Sequence, residues 1–537
     1  MVVADTRTIL EIYGRILPTE KDLQVIQHIE HTAYWDYKRA GNEDVKATAL
    51  KIRDAIAQNK EYQIFKVLIG YQGVFNEWRT ISASREEEDK NITNEIQQAQ
   101  KIRDQRVVEL AESVTAENFG EWEPRILKYA QVQSDDMATF PCFAKFLELM
   151  GKKSPDLALT LLERHAEELK GFIPFLLWSV YESSKRQEAE SLIRSWVGSG
   201  NYLRQVVGVF GGIKNWDSDL FRLVCNKAIE KNDLPALKQI ISVLADGYNP
   251  SRKDFVDTTL ADSIRKLTAA GDCGGILNIW FRKEINVIVQ DMNDRTVDVL
   301  LENLTLAQQI GYEAEAILTA IAKQFPDKIV KFFGDRLKRE DRAERRSGYS
   351  AIPYQFHELQ KVLSSMPEKL VDAASQWFDE GYGMFIYRGG KFLKNIFPDF
   401  PERFENKLIE FVRSGEKDKQ MIALAVLRNY DGNPMTHKVC KELVKAFPPG
   451  SAELNEVCLV LQSTGVVCGE YGFVEAYQRK KTEIEPWLAD DSERVQTFAR
   501  QQLANLDTQI DWSKKRADED IELRKFKYGT DDDINES

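Results

Sequence analysis

Met150–Pro155, MGKKSP, places a glycine and two lysines ahead of a small hydroxyl, the composition of a phosphate-cradling loop. Such a loop needs the order Gly-x-x-x-x-Gly-Lys-Ser/Thr, so that backbone N–H groups converge on the phosphates. Phe146 stands where the first glycine is required, and Lys153 where the hydroxyl is required. The stretch therefore reads as a turn between helices. His28 and His31, three apart on a helical segment, have the spacing of two ligands on one metal. No third ligand follows at a recognisable distance, and Glu30 falls elsewhere on the helical wheel, so they read as surface or partly buried histidines. His165, His357 and His437 complete the set of five and fall within helical repeat segments; His165 reads as a solvent-side residue rather than a general base. There is no Gly-x-Ser-x-Gly elbow and no His-Glu-x-x-His. Carboxylates are abundant, but no pair stands apart from ordinary helical surface charge. No catalytic residue, metal ligand or cofactor site is assigned.

Two basic stretches carry more. DRLKREDRAERRSGYS (335–350) sets Arg336, Lys338, Arg339, Arg342, Arg345 and Arg346 against four acids. Guanidinium groups grip carboxylate or phosphate with two parallel donors, so an acidic partner or a phosphate is the chemistry implied. The plain alternative is a solvated helix end and an inter-repeat loop. GYGMFIYRGGKF (381–392) mixes Tyr387, Arg388 and Lys391 with Gly381, Gly383, Gly389 and Gly390. It reads as an inter-helix loop able to line a partner-binding face. Arg339, Arg342, Arg345, Arg346, Tyr387, Arg388 and Lys391 are the candidate partner-binding residues.

The elements that must position these residues are helices that recur. Aligned on proline, PDLALTLLERHAEEL (from Pro155), PDKIVKFFGDRLKRE (Pro326), PEKLVDAASQWFDEG (Pro367) and PERFENKLIEFVRSG (Pro401) fall into one register. Each proline is followed by an acid: Asp156, Asp327, Glu368 or Glu402. Proline suits the first helical position, where its missing N–H has no acceptor, and a first-turn carboxylate suits the positive end of the helix dipole. Offsets of three, seven and eleven from the proline are apolar in all four copies and predict one buried face. That set includes Phe378 but leaves its neighbour Trp377 undecided, because offset ten holds His165, Arg336, Trp377 and Phe411. Gly381 and Gly415 are placed to end two of the helices with a left-handed cap. Pro326 and Pro367 are 41 residues apart, and Pro367 and Pro401 are 34 apart. Each proline helix follows another amphipathic segment. Paired helices at a period of roughly 40 residues are the mark of a HEAT- or armadillo-like solenoid.

Bulk properties agree. In 537 residues, 73 are basic and 85 acidic, a net charge of −12, which argues against a general nucleic-acid coat but allows a local basic patch. No apolar run reaches the roughly 20 residues that span a bilayer, and the N-terminus does not read as a signal peptide. Six scattered cysteines without a Cys-x-x-Cys suit reduced thiols in a cytoplasmic protein. The expected fold is all-α, an elongated α-solenoid of HEAT/ARM-like hairpins behind a less regular helical N-terminal region. Residues 1–82 form that region, 83–119 a polar bridging helix, 120–510 the repeats, and 511–537 a charged terminal helix and disordered tail. In the bridging helix the expected apolar stripe is thin: Ile92, Ile96, Ala99, Val107 and Leu110.

Residues 120–510 resemble HEAT-like repeat proteins. The C-terminal stretches TGVVCGEYGFVEAYQRKKTEIEPWLADDSERVQTFA and RADEDIELRKFKYG look like the closing repeats of bacterial helical-repeat proteins, some of them sensor arms of STAND-type NTPases in antiviral defence. This chain lacks their P-loop and any recognisable effector domain, so the resemblance implies a sensor, adaptor or accessory subunit. The leading expectation is a non-catalytic scaffold that binds a protein partner without a cofactor or a membrane. One alternative is a nucleic-acid-binding subunit that uses the basic patches. The other is a metal-dependent hydrolase or nuclease assembled from scattered carboxylates.

Overall fold

The computed structural model describes residues 2–76, 78, 85–133, 140–213, 216–246, 248, 250–279, 285–342, 348–378 and 385–528. Their regular structure is helical throughout, with no strand among the described residues. Two compact units divide the chain, Met1–Asp246 and Gly247–Ser537. Each is a run of HEAT/ARM-like helical hairpins, and each has its own buried core.

In the first unit, helices Pro141–Lys153, Ile173–Tyr181, Leu203–Gly212 and Leu234–Ala245 pack successively on one another and form one layer. Pro155–His165, Arg186–Ser199 and Ser218–Lys231 pack against them from the other side. The less regular N-terminal helices precede this array, with Val2–Ile16 and Leu23–Arg39 both resting on Glu43–Ala57. The polar helix Arg85–Ser113 packs on Lys60–Leu68 and on Pro141–Lys153. Its buried stripe is Ala99, Arg103, Val107 and Ala111, at a spacing of four residues. Ala99 and Val107 belong to the expected stripe, while Ile92 and Ile96 lie where side chains are outside the described residues. Arg103 is 1% exposed and donates from Nε to Val67 O at 2.8 Å and from Nη2 to Gly70 O. Those carbonyls lie at the C-terminal end of Lys60–Leu68, where the last turn has no intrahelical donors for them.

The second unit repeats the two-layer plan. Tyr312–Ala322, Glu358–Leu363, Phe385–Ile396 and Lys417–Leu427 form one layer, and Asp294–Leu304, Pro326–Arg342, Pro367–Phe378, Glu402–Arg413 and His437–Ala446 form the other. The three later proline segments all belong to this second layer, so the shared register marks a shared role. Three of the four prolines start their helices; Pro401 stands one residue earlier, as the N-cap. Offset three is fully buried in every copy: Ala158, Ile329, Leu370 and Phe404. Offset seven is buried as well, at Leu162, Phe333, Ala374 and Leu408. At offset eleven Leu337 and Val412 are buried and Ala166 is half-buried; the Phe378 side chain lies outside the described residues. Gly415 takes φ +74° just past its helix, the left-handed cap expected of it, and Gly381 lies outside the described residues.

The acids after the prolines do more than favour the helix dipole. Asp327 pairs with Lys369 of the next helix at 3.5 Å, and Glu368 pairs with Arg403 of the one after at 2.8 Å. Lys328–Asp298, Lys407–Asp372, Lys438–Glu405 and Arg413–Glu442 continue this ladder between neighbouring helices. The last helix, Glu493–Tyr528, buries Val495, Phe498, Ala499 and Leu506 and half-buries Leu503. It continues unbroken, with Ser513 and Ala517 still buried within its charged stretch.

Candidate partner-binding surface

The two basic stretches meet in the second unit, and the structure changes how each is read. Arg336, expected on a solvated helix end, has no exposed surface. Its guanidinium donates to Ala351 O (3.0 Å), Ser350 O (2.6 Å) and Ala307 O (2.7 Å), with longer bonds to Leu304 O and Thr305 O (3.3 Å each). Three of these carbonyls end the helix Asp294–Leu304 or follow it, and two belong to the strap that returns from Pro326–Arg342. Burial pulls the guanidinium below its ordinary value. Arg336 is therefore a clamp and is withdrawn from any partner surface. Tyr349 completes it: the ring lies 4.6 Å from the Arg336 guanidinium and the hydroxyl donates to Thr305 O at 2.9 Å.

Residues 385–396 form a helix, not the loop expected from their glycines. Glycine is required here by packing. A Cβ on Gly390 would sit 2.6 Å from Ala425 O and would strike Asn429, so only glycine lets this helix approach Lys417–Leu427. Its inner face carries Phe392, which packs on Phe333 (5.0 Å between centroids), Trp377 (5.5 Å) and Phe356 (6.0 Å). Trp377 is buried in that cluster, over a glycine, Gly334, whose Cβ would meet Nε1 at 2.6 Å. The aromatic cluster holds the inner face of this helix on residues of Pro326–Arg342 and Pro367–Phe378.

Three of the seven candidate residues have described side chains at this junction. Arg388 is half-buried and pairs with Glu340 at 3.4 Å, which ties the two helices together. Arg339 is exposed, with its guanidinium 5.7 Å from the Tyr349 ring centroid. Lys391 is exposed one turn beyond Arg388. Arg339 and Lys391 make no ion pair among the described residues. Arg342 and Tyr387 lie on described helices, but their side chains are outside the described residues, as are Arg345 and Arg346 entirely.

Against known proteins, no protein-family model and no curated protein matches the chain. Solved helical-repeat structures are similar to it. A structure of importin beta covers 94% of this chain, with 86% of its own length matched, at 11% identity and a TM-score of 0.26. A structure reported for the phosphorylation switch in the interaction between cadherin and beta-catenin covers 92%, with 100% of its own chain matched, at 11% identity and a TM-score of 0.22. A circular tandem repeat protein covers 95%, with 99% of its own chain matched, at 12% identity and a TM-score of 0.17. The fold described above rests on the packing of the helices themselves.

The other sequence candidates have structural occupations. Gly151 of MGKKSP is helical and packs so closely on Ser179 that a Cβ would strike its hydroxyl. Lys152 pairs with Glu148 at 2.8 Å and covers the Trp178 ring, and Lys153 donates to Glu112 O. His31 hydrogen-bonds the Tyr71 hydroxyl, and Glu30 is buried between Tyr62 (2.6 Å) and Lys66 (2.5 Å). His165 meets Glu123 at 2.9 Å. Among the described residues, no three His, Cys, Asp or Glu side chains are grouped to hold a metal, and no helix is long and apolar enough to cross a membrane.

Proposed function

We propose that this chain is a helical-repeat scaffold that binds an acidic segment of a protein partner across Arg339, Arg388 and Lys391. The observation that carries the proposal is a contrast. Along the proline helices Lys369, Arg403, Lys407, Arg413 and Lys438 are each matched by an acid of a neighbouring helix. At the junction of Pro326–Arg342 with Phe385–Ile396, Arg339 and Lys391 are left unmatched among the described residues and face solvent. Unmatched guanidinium and ammonium groups on a rigid helical face favour a partner that brings its own carboxylates. Arg342, Arg345, Arg346 and Tyr387 adjoin this face in sequence and are proposed to extend it. The resemblance of the C-terminal stretches to sensor arms supports a place for the scaffold in a bacterial defence assembly, as an adaptor or accessory subunit.

The test is affinity purification from the native host with wild-type chain and with the pair Arg339→Glu and Lys391→Glu. One protein should co-purify with the wild type and be lost with the variant, while both forms melt at the same temperature. Retention of that protein by the variant removes the surface. Recovery of nucleic acid instead, with affinity that falls steeply as salt is raised, would replace the protein partner with the nucleic-acid alternative.

A further inference from the structure

A cavity of about 390 Å³ opens in the second unit, where helices Phe385–Ile396 and Gly472–Ile484 meet the turn after Tyr430. Its size suits a small metabolite rather than a protein side chain. The charges that line it come from three separated parts of the sequence: Lys394, Asp431, and the group Arg479, Lys480 and Glu483.

Asp431 and Arg479 stand at the exposed rim of this cavity and Lys394 is half-buried in its wall. Lys394, Asp431 and Arg479 make no ion pair and no side-chain hydrogen bond among the described residues. Lys480 is 8% exposed and is held in place, with Nζ donating to Gly432 O at 2.5 Å. Glu483 Oε2 is buried and lies 3.3 Å from Lys480 Nζ, an ion-pair distance, yet it accepts no hydrogen bond. With only this one off-axis ammonium beside it, the buried oxygen keeps acceptor capacity toward the cavity. Asp431 and Gly432 both take left-handed backbone, at φ 48° and 63°, Asp431 as the C-cap of the short helix Arg428–Tyr430, and this turn places Asp431 at the cavity.

The sign of the charges narrows the ligand. A simple anion would meet Lys394 and Arg479 but would also face the carboxylates of Asp431 and Glu483. A simple cation would face three positive groups. Three cations against two carboxylates leave the wall with one surplus positive charge. We infer that the cavity binds a small acidic amino acid: an ammonium given to Asp431 and Glu483, and two carboxylates held by Lys394 and Arg479. This site shares no residue with the partner surface proposed above and does not depend on it.

Isothermal titration of the full chain with L-glutamate and with L-aspartate tests it. One of the two should bind at a single site. Glutarate, which lacks the ammonium, and L-glutamine, which lacks the second carboxylate, should each bind about tenfold more weakly or worse. Arg479→Gln and Asp431→Asn should each lower affinity to a similar extent. Neither side chain has a partner to lose among the described residues, so both variants should keep the wild-type circular dichroism and melting temperature. If neither amino acid binds, the inference is wrong. It is equally wrong if glutarate or inorganic phosphate binds as well as the amino acid, or if both variants bind like wild type.

Discussion

Buried arginine is the residue-scale device of this protein. Arg103 sits in the polar bridging helix and Arg336 in a stretch that reads as a solvated helix end, and both turn inward to satisfy carbonyls at the end of another helix. Replacing Arg336 by methionine keeps the apolar stem but removes five hydrogen bonds, although Thr305 O keeps the Tyr349 hydroxyl and Leu304 O the Ala307 N–H. The expected loss is about 1–3 kcal/mol for each carbonyl left without a donor; Arg336→Lys should recover only part of it, because one ammonium cannot span the same acceptors. Urea unfolding midpoints measure both. A second buried group gives a pH signature. Burial, then Lys480 and Lys441, hold His437 down at about 4 from its ordinary 6.5, and its ring packs edge-on against Trp487. Above pH 6.5 the ring is neutral whether folded or unfolded and contributes nothing to pH dependence. As pH falls from about 6.5 towards 4, the unfolded chain takes up the proton first, so the fold loses about 1–3 kcal/mol from this residue. His437→Gln should flatten that part of the stability profile; an unchanged slope would assign it to other groups.

At the scale of elements, the proline register carried most of the architecture and the glycines misled. Offsets three and seven locate the core of these helices because a shared apolar face needs only the local period of the helix. Offset ten was illegible because the same buried position is filled by a tryptophan, a phenylalanine and an arginine, Trp377, Phe411 and Arg336, each completed by different neighbours. Arg336 finds its acceptors in residues 304–307 and 350–351, which nothing in its own helix announces. The cavity was invisible for the same reason, since its charges stand at 394, 431 and 479–483. Gly389 and Gly390 looked like a turn because glycine permits both a loop and a close helix crossing; the sequence alone does not say which. The distinction is measurable. Gly390→Ala forces a Cβ against Ala425 O and should cost about 1–3 kcal/mol. Gly198, also helical, has open space around its would-be Cβ, so Gly198→Ala should be neutral or stabilise by up to about 1 kcal/mol. Thermal melts should show Gly390→Ala lowered and Gly198→Ala unchanged or raised, and a raised Gly390→Ala would show that helix propensity outweighs packing there.

For the whole molecule, these local devices imply local consequences. A repeat array is stabilised by each hairpin and by its contacts with the next, so a defect weakens its neighbours first and distant repeats least. Met1–Asp246 and Gly247–Ser537 each contain a buried core, the first around residues such as Phe143, Leu162, Leu177 and Val207, the second around Phe333, Phe392, Leu408 and Leu443. Arg336→Met offers the test, because its lost bonds join three consecutive parts of the second unit: the end of Asp294–Leu304, the helix Pro326–Arg342 and the strap at 348–352. Hydrogen exchange of the intact variant should show faster amide exchange over roughly residues 294–396 and unchanged protection in the helices of Met1–Asp246. Loss of protection spread evenly over the chain would mean that the molecule unfolds as one cooperative body. In that case a partner gripping Arg339 and Lys391 would stabilise every repeat alike; under local coupling it would chiefly rigidify the hairpins on either side of the clamp.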